Sequence, residues 1–173
     1  MSENVKNAIR DIVDFPKKGI IFKDVTTAIK KPEIFKEIID YFVEQLKDIE
    51  FDYVAGIESR GFFLAAPIAY ILNKGLLVIR KPGKLPAETI SAEYELEYGT
   101  DKLEIHIDAI EKGQKVIIMD DLIATGGTLG ASIELVEKLG GSVPASMFLI
   151  ELEELKAREK YGSKTNMISM LKF

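Results

Sequence analysis

Residues 116–129 read VIIMDDLIATGGTL. The stretch begins with apolar residues and no polar alternation, the pattern of a strand buried on both faces, expected over 116–120. It ends in two adjacent carboxylates, Asp120 and Asp121. A loop of small residues follows, and a helix is expected over 128–139. Gly126 and Gly127 permit backbone angles that other residues resist, so several amide N–H groups can point at one place. The helix start adds its dipole and unpaired N–H donors, and Thr125 and Thr128 add hydroxyls. This assembly suits a phosphate dianion. Carboxylates touching a phosphate would repel it. They make sense as acceptors for ribose hydroxyls or as ligands of a hard cation such as Mg²⁺. A glycine pair at a strand–turn–helix junction capped by Thr128 is by itself a weak signal. The whole string is far more specific, and it is neither a P-loop nor a dinucleotide fingerprint.

Outward from this stretch, short apolar runs alternate with helices. Strands are expected at 53–57, 76–80 and 143–150, with a last edge strand at 167–171. Helices are expected at 4–14, where Val5, Ile9, Ile12 and Val13 have helical spacing, and at 33–47 and 61–72. A polar helix is expected at 151–160. Strand–helix alternation with continuous apolar strands implies an α/β fold, a central mostly parallel sheet flanked by helices. Such sheets bind ligands beyond the carboxyl ends of their strands. One segment differs: from 88 to 108 apolar and polar residues alternate with period two, as in a two-stranded antiparallel arm turning near 99–101. With one polar face, that arm is expected to stand off the sheet and cover a site.

The length of 173 residues favours one domain over 1–173. The formal net charge of −5 and the lack of a basic stripe argue against a nucleic-acid partner. The absence of a long apolar run argues against a membrane partner. The N-terminus lacks the basic-then-apolar order of a signal peptide. The chain has no cysteine, which removes thiolate chemistry and fits a cytoplasmic location. A single histidine excludes a multi-histidine metal site; that residue, His106, lies on the polar side of its strand and is given no chemical role. Arg80, Lys81 and Lys84 form a cationic cluster that net charge does not predict. Beside a strand end it can neutralise an anionic leaving group, through the fork of Arg and the mobile point charge of Lys.

VIIMDDLIATGGT resembles the phosphoribosyl-pyrophosphate signature of the type I phosphoribosyltransferases. FPKKGIIFKDVT, GIESRGF, IRKPGKLPAET and YELEYGTDKLEIH resemble, in the same order, blocks of the adenine-specific members. The resemblance spans roughly residues 14–150 and implies the type I fold, with an N-terminal hood at about 12–30 and a flexible arm at about 81–108. It implies transfer of the phosphoribosyl group from 5-phosphoribosyl 1-pyrophosphate (PRPP) to N9 of adenine, giving AMP and pyrophosphate, with Mg²⁺ accompanying PRPP. No metal ligand is assigned directly.

The resemblance also assigns residues. Ala124, Thr125, Gly126, Gly127 and Thr128 would hold the 5′-phosphate, and Asp120 and Asp121 the ribose hydroxyls. Glu58, Ser59 and Arg60 would form the pyrophosphate loop, with Arg60 facing the reacting groups and a cis peptide expected at Glu58–Ser59. Arg80, Lys81 and Lys84 would join it at the pyrophosphate. Glu97, in LEYG, would be the catalytic acid or base at the purine ring, with Tyr98 beside it on the arm, whose closure would exclude water. Ile21, Phe22 and Lys23 would form the adenine pocket, Phe22 stacking on the purine. Lys23 replaces the arginine common in the family, keeping the charge and losing the planar fork. A homodimer is implied. Two alternatives stand beside this expectation: transfer to another purine base, and a regulator that senses PRPP without chemistry. Some regulators of this fold carry an added DNA-binding domain, for which the chain has no room.

Overall fold

The computed structural model describes residues 2–95 and 99–173. In chain order the elements are α1 (Ser2–Ala8), β1 (Arg10–Val13), β2 (Ile21–Asp24), α2 (Thr26–Ile29), α3 (Pro32–Leu46), β3 (Tyr53–Ile57), α4 (Gly61–Ile71), β4 (Gly75–Ile79), β5 (Thr89–Glu95), β6 (Thr100–His106), β7 (Val116–Ile123), α5 (Gly127–Lys138), β8 (Ala145–Glu151), a 3₁₀ turn (Glu153–Leu155), α6 (Ala157–Tyr161) and β9 (Asn166–Lys172).

Five strands form one parallel sheet in the order β4-β3-β7-β8-β9. Its strands carry apolar residues toward both faces. Ile117 and Met119 pack with Ile38 and Phe42 of α3 and Leu64 and Ile68 of α4. Val116 and Ile118 pack with Leu129, Ile133 and Val136 of α5 on the other side. This two-sided burial explains the unbroken apolar run in the sequence. From β3 the chain moves outward to β4, then returns to place β7 on the other flank of β3. The carboxyl ends of β3 and β7 therefore meet where strand order reverses, and the loops leaving them diverge around a crevice.

The hairpin β5–β6 is antiparallel, as its alternation predicted. It does not stand off the sheet. Ala92, Tyr94, Leu103 and Ile105 are buried against the α5 side, and an Arg80–Glu104 bridge ties the hairpin to the end of β4. Its last register pair joins Glu95 to Thr100. Thr100 and Asp101, expected in the turn, thus belong to β6, because their backbones find partners across the hairpin.

Two helical expectations are corrected. Residues 4–14 are not one helix: α1 ends at Ala8, and Arg10–Val13 pairs antiparallel with Ile21–Asp24. Ile12 and Val13 are β-branched and suit a strand. Asp14 then has φ 58°, so no helix continues; the Phe15–Pro16 peptide is cis. Arg10 fastens this hairpin to Asp24 at 2.5 Å. Thr26 and then Arg10 hold the Asp24 carboxyl down at about 2. Residues 151–160 are likewise not a polar helix. Glu151 completes β8, and a left-handed Lys156 separates the 3₁₀ turn from α6.

Candidate active site

The crevice at the strand-order reversal holds a cavity of about 550 Å³ lined from both loops. From the β3 side come Glu58, Ser59 and Arg60. From the β7 side come Asp120, Asp121, Leu122 and the run Ala124, Thr125, Gly126, Gly127 and Thr128. Lys81, Tyr94 and Glu95 close one flank and Leu155 another. Because β7 extends to Ile123, Asp120 and Asp121 lie within the strand and form the floor of the cavity rather than its rim.

The glycine loop is built as a donor cradle. Gly126 is left-handed, with φ 84°, and caps α5 without any side-chain hydrogen bond. The N–H groups of the first helical turn have no intrahelical acceptor and lie at the positive end of the dipole. Thr128, expected as the helix start, is its second residue. On the facing loop the Glu58–Ser59 peptide is cis, where the resemblance placed such a bond. Gly61 follows Arg60 and packs so tightly on β7 that a Cβ there would lie 2.5 Å from the Met119 carbonyl oxygen.

Arg60, Arg80 and Lys81 each sit on a carboxylate. Arg60 Nε donates to Asp121 Oδ2 at 2.5 Å. Arg80 Nε donates to Glu58 Oε2 at 3.2 Å, and Arg80 Nη1 donates to the Lys84 carbonyl at 3.1 Å. Lys81 Nζ pairs with Asp101 and donates to the Tyr94 hydroxyl at 2.8 Å. Burial alone would raise the Glu58 carboxyl; the Lys81 N–H and the Arg80 guanidinium outweigh it and hold the group below its usual value. Of the cluster read from sequence, only Lys81 lines the cavity. Arg80 lies behind Glu58, and Lys84 contributes a carbonyl to Arg80.

Asp120 differs from Asp121. It is 8% exposed, and its Oδ1 accepts the Asp121 N–H at 2.8 Å. Burial, and then the negative neighbour Asp121, push its carboxyl well above the usual range. A raised folded pKa favours folding below the unfolded value near 3.8; that contribution is lost as pH rises through the folded value. Asp120→Asn keeps the acceptor and removes the ionisation. The variant is expected to melt higher than the wild type at pH 8, by roughly 2–4 °C for each kcal/mol recovered, and the gap should close toward pH 4. Equal melting curves at both pH values would refute the account.

Three residues expected at a purine do not line this cavity. Ile21, Phe22 and Lys23 lie on β2 and are absent from the cavity wall. Phe22 reaches its edge, with the Arg60 Cζ 5.1 Å from its ring centroid. Lys23 turns away: its Nζ pairs with Asp11 at 2.9 Å and lies 4.1 Å from the Phe173 ring centroid. Glu97 and Tyr98 lie outside the described residues.

The profile of the phosphoribosyl transferase domain matches residues 25–169. An adenine phosphoribosyltransferase of Halothermothrix orenii is 57% identical over 90% of this chain and 92% of its own length. The chain belongs to the adenine phosphoribosyltransferase family. Among solved members of that family, the Thermoanaerobacter pseudethanolicus protein superposes with a TM-score of 0.97, at 53% identity over all of both chains. The Saccharomyces cerevisiae adenine phosphoribosyltransferase, complexed with D-2,5-dideoxy-2,5-imino-altritol 1,6-bisphosphate and adenine, superposes with a TM-score of 0.88. It is 40% identical, over 97% of this chain and 96% of that one. The expected type I fold is therefore the fold observed.

Sequence reasoning missed four cavity-lining residues: Tyr94, Glu95, Leu122 and Leu155. Tyr94 and Glu95 were visible only as members of an alternating strand. Leu122 continues a strand expected to stop at residue 120. Leu155 carried no signal, because the turn that delivers it depends on the left-handed Lys156.

Proposed function

We propose that this protein transfers the 5-phosphoribosyl group of PRPP to N9 of adenine, releasing AMP and pyrophosphate. One observation carries the proposal: a glycine-loop phosphate cradle and an arginine-bearing loop face each other across an acidic floor in one cavity. The relatives' names give the base, and the yeast relative binds adenine together with a bisphosphate. Its volume suits a ligand of nucleotide size.

In the reaction the C1–N9 bond forms as the bond from C1 to the pyrophosphate oxygen breaks. Pyrophosphate leaves with its electron pair, and N9 loses its proton. The amides of the loop Ala124 to Thr128 fix the 5′-phosphate, and with it the position of C1. Asp120 and Asp121 accept hydrogen bonds from the ribose hydroxyls. Ser59, Arg60 and Lys81 meet the pyrophosphate, with Arg80 and Lys84 shaping the wall behind Glu58. The Ile21–Phe22 backbone and the Phe22 ring take the adenine, and Lys23 supports that strand from outside. Glu97 manages the proton at the base, with Tyr98 closing beside it.

PRPP would carry Mg²⁺ into the site. Among the described residues no group of three or more His, Asp or Glu side chains could hold an ion. A carboxylate pair on the floor fits an ion that keeps its waters and rides on substrate phosphates. The ion would neutralise pyrophosphate charge as it develops. The protein is proposed to act in the cytoplasm as a homodimer. Phe63, Tyr70 and Ile71 leave an apolar face of α4 exposed, which a second copy would cover.

Incubation with PRPP, Mg²⁺ and single purine bases tests the activity. AMP is expected from adenine. No AMP would remove the proposal, and faster turnover of guanine or hypoxanthine would move the protein to another base. Glu97→Gln is expected to lower kcat about 10²-fold or more with the Tm unchanged. Undiminished turnover would release Glu97 from its role.

A further inference from the structure

The cradle has a back as well as a mouth, and its back is built by the chain beyond β8. We propose that Tyr161, clamped in place through Arg158, is a positioning residue that holds the phosphate loop in its binding geometry. The inference rests on the reading of that loop as the 5′-phosphate site.

Tyr161 is 7% exposed and is not part of the cavity wall. Its ring lies against the first turn of α5 from the side away from the cavity. A Cβ built on Gly126 would lie 2.6 Å from the ring and 3.3 Å from Ala157 Cβ. One built on Gly130 would meet the Tyr161 hydroxyl first and lie 2.8 Å from its Cζ. Gly130 N–H donates to the Gly126 carbonyl at 2.9 Å, so both contacts bear on one helical turn. On the other side, a Cβ on Gly127 would meet Tyr94 Cδ2 at 3.0 Å. The loop is therefore gripped between two tyrosines. The glycines are required twice, for the left-handed turn at Gly126 and for the close approach of the ring.

The five residues of α6 are too few to hold a helix by propensity. Arg158 supplies the hold. Its Nε and Nη2 donate to the two oxygens of Glu151 at 3.0 and 2.6 Å, and its Nη1 donates to the Met167 carbonyl at 2.7 Å. Glu151 is 3% exposed at the end of β8, so the fork is anchored in the sheet. The line of force runs from β8 through Arg158 to α6, and from Tyr161 to the loop. Glycine-rich backbone has wide conformational freedom. Amide donors act on a phosphate only when they are fixed within a fraction of an ångström.

The test compares Tyr161→Phe, Tyr161→Ala, Gly130→Ala and the double variant Gly130→Ala/Tyr161→Ala. Each is assayed by steady-state kinetics and by calorimetric titration with ribose 5-phosphate, below its own Tm. Tyr161→Phe keeps the ring and is expected to match wild type. Tyr161→Ala and Gly130→Ala are each expected to raise KM for PRPP and weaken ribose 5-phosphate binding about 10- to 100-fold. KM for adenine should stay within about twofold. The double variant should bind much better than the product of the two losses, because removing the ring makes room for the added methyl. If the alanine variant of Tyr161 does not fold, Gly130→Ala carries the test alone. Unchanged ribose 5-phosphate binding in folded variants, or equal rises in both KM values, would overturn the positioning role. Absence of ribose 5-phosphate binding in the wild type would instead remove the phosphate-site reading, and the proposal with it.

Discussion

Arg60→Ala is expected to lower kcat/KM for PRPP by about 10³-fold, the scale of losing a cation or donor aimed at developing charge. The side chain does two jobs that no neighbour repeats. It faces the cavity from the β3 loop, and it satisfies Asp121, whose side chain is 6% exposed. Without it, Asp120 and Asp121 stand together on the floor with no cation paired to them among the described residues. Breaking a fully buried pair costs about 3–5 kcal/mol; Arg60 is 38% exposed, so a smaller stability loss of about 1–2 kcal/mol is expected. Arg60→Lys separates charge from shape: it keeps the cation and loses the planar fork, and should recover part of the activity. Kinetics with PRPP varied, beside thermal melts, measure both effects. An alanine variant within threefold of wild type would take Arg60 out of the pyrophosphate role.

Gly61→Ala is expected to lower kcat/KM at least about 100-fold, because the reacting groups would be misplaced by a fraction of an ångström or more. It should also cost about 1–3 kcal/mol of stability through overpacking. The methyl would sit 2.5 Å from the Met119 carbonyl oxygen and 3.3 Å from Asp120 Cα. Both are backbone atoms of the central sheet and cannot swing aside. The first turn of α4 must therefore lift from β7, carrying Arg60 away from Asp121. Gly113→Ala is the control. Gly113 has φ 91° with nothing within 4 Å of its built Cβ, so alanine there strains the backbone but leaves the crevice alone. Loss of stability with unchanged kcat/KM is expected for Gly113→Ala, and loss of both for Gly61→Ala. Equal kinetics in the two variants would show that the Gly61 contact does not align the site.

The sheet and the two loops were legible because both depend on short-range pattern. An apolar run such as 116–119 must be buried on both faces, and a glycine pair at a strand–helix junction leaves few backbone alternatives. Long-range partners were not legible. Val5, Ile9, Ile12 and Val13 have helical spacing, yet β2, returning after the turn closed by Phe15 N–H and the Ile20 carbonyl, offers Arg10–Val13 a ladder. The cluster at 80–84 announced its charge but not its counterparts, since Glu58 and Asp101 lie 22 and 20 residues from Arg80 and Lys81. The stretch 151–160 looked like a solvated helix because nothing in its composition shows that Arg158 reaches back to Glu151. Those contacts bring Leu155 to the cavity and Tyr161 to the glycine loop.

The pairing of the cavity-lining cations Arg60 and Lys81 with Asp121 and Asp101 bears on how the proposed turnover would end. An anion entering this crevice does not fall into bare positive charge; it displaces resident counterions that remain tethered within reach. Its net electrostatic gain is the difference between two similar partnerships, which is far smaller than the attraction of two unpaired cations. When the bond at C1 has broken, the same carboxylates stand ready to reclaim their cations. Each return would lower the barrier to departure of a highly charged product, so the crevice would reset itself instead of becoming a trap for what it has made.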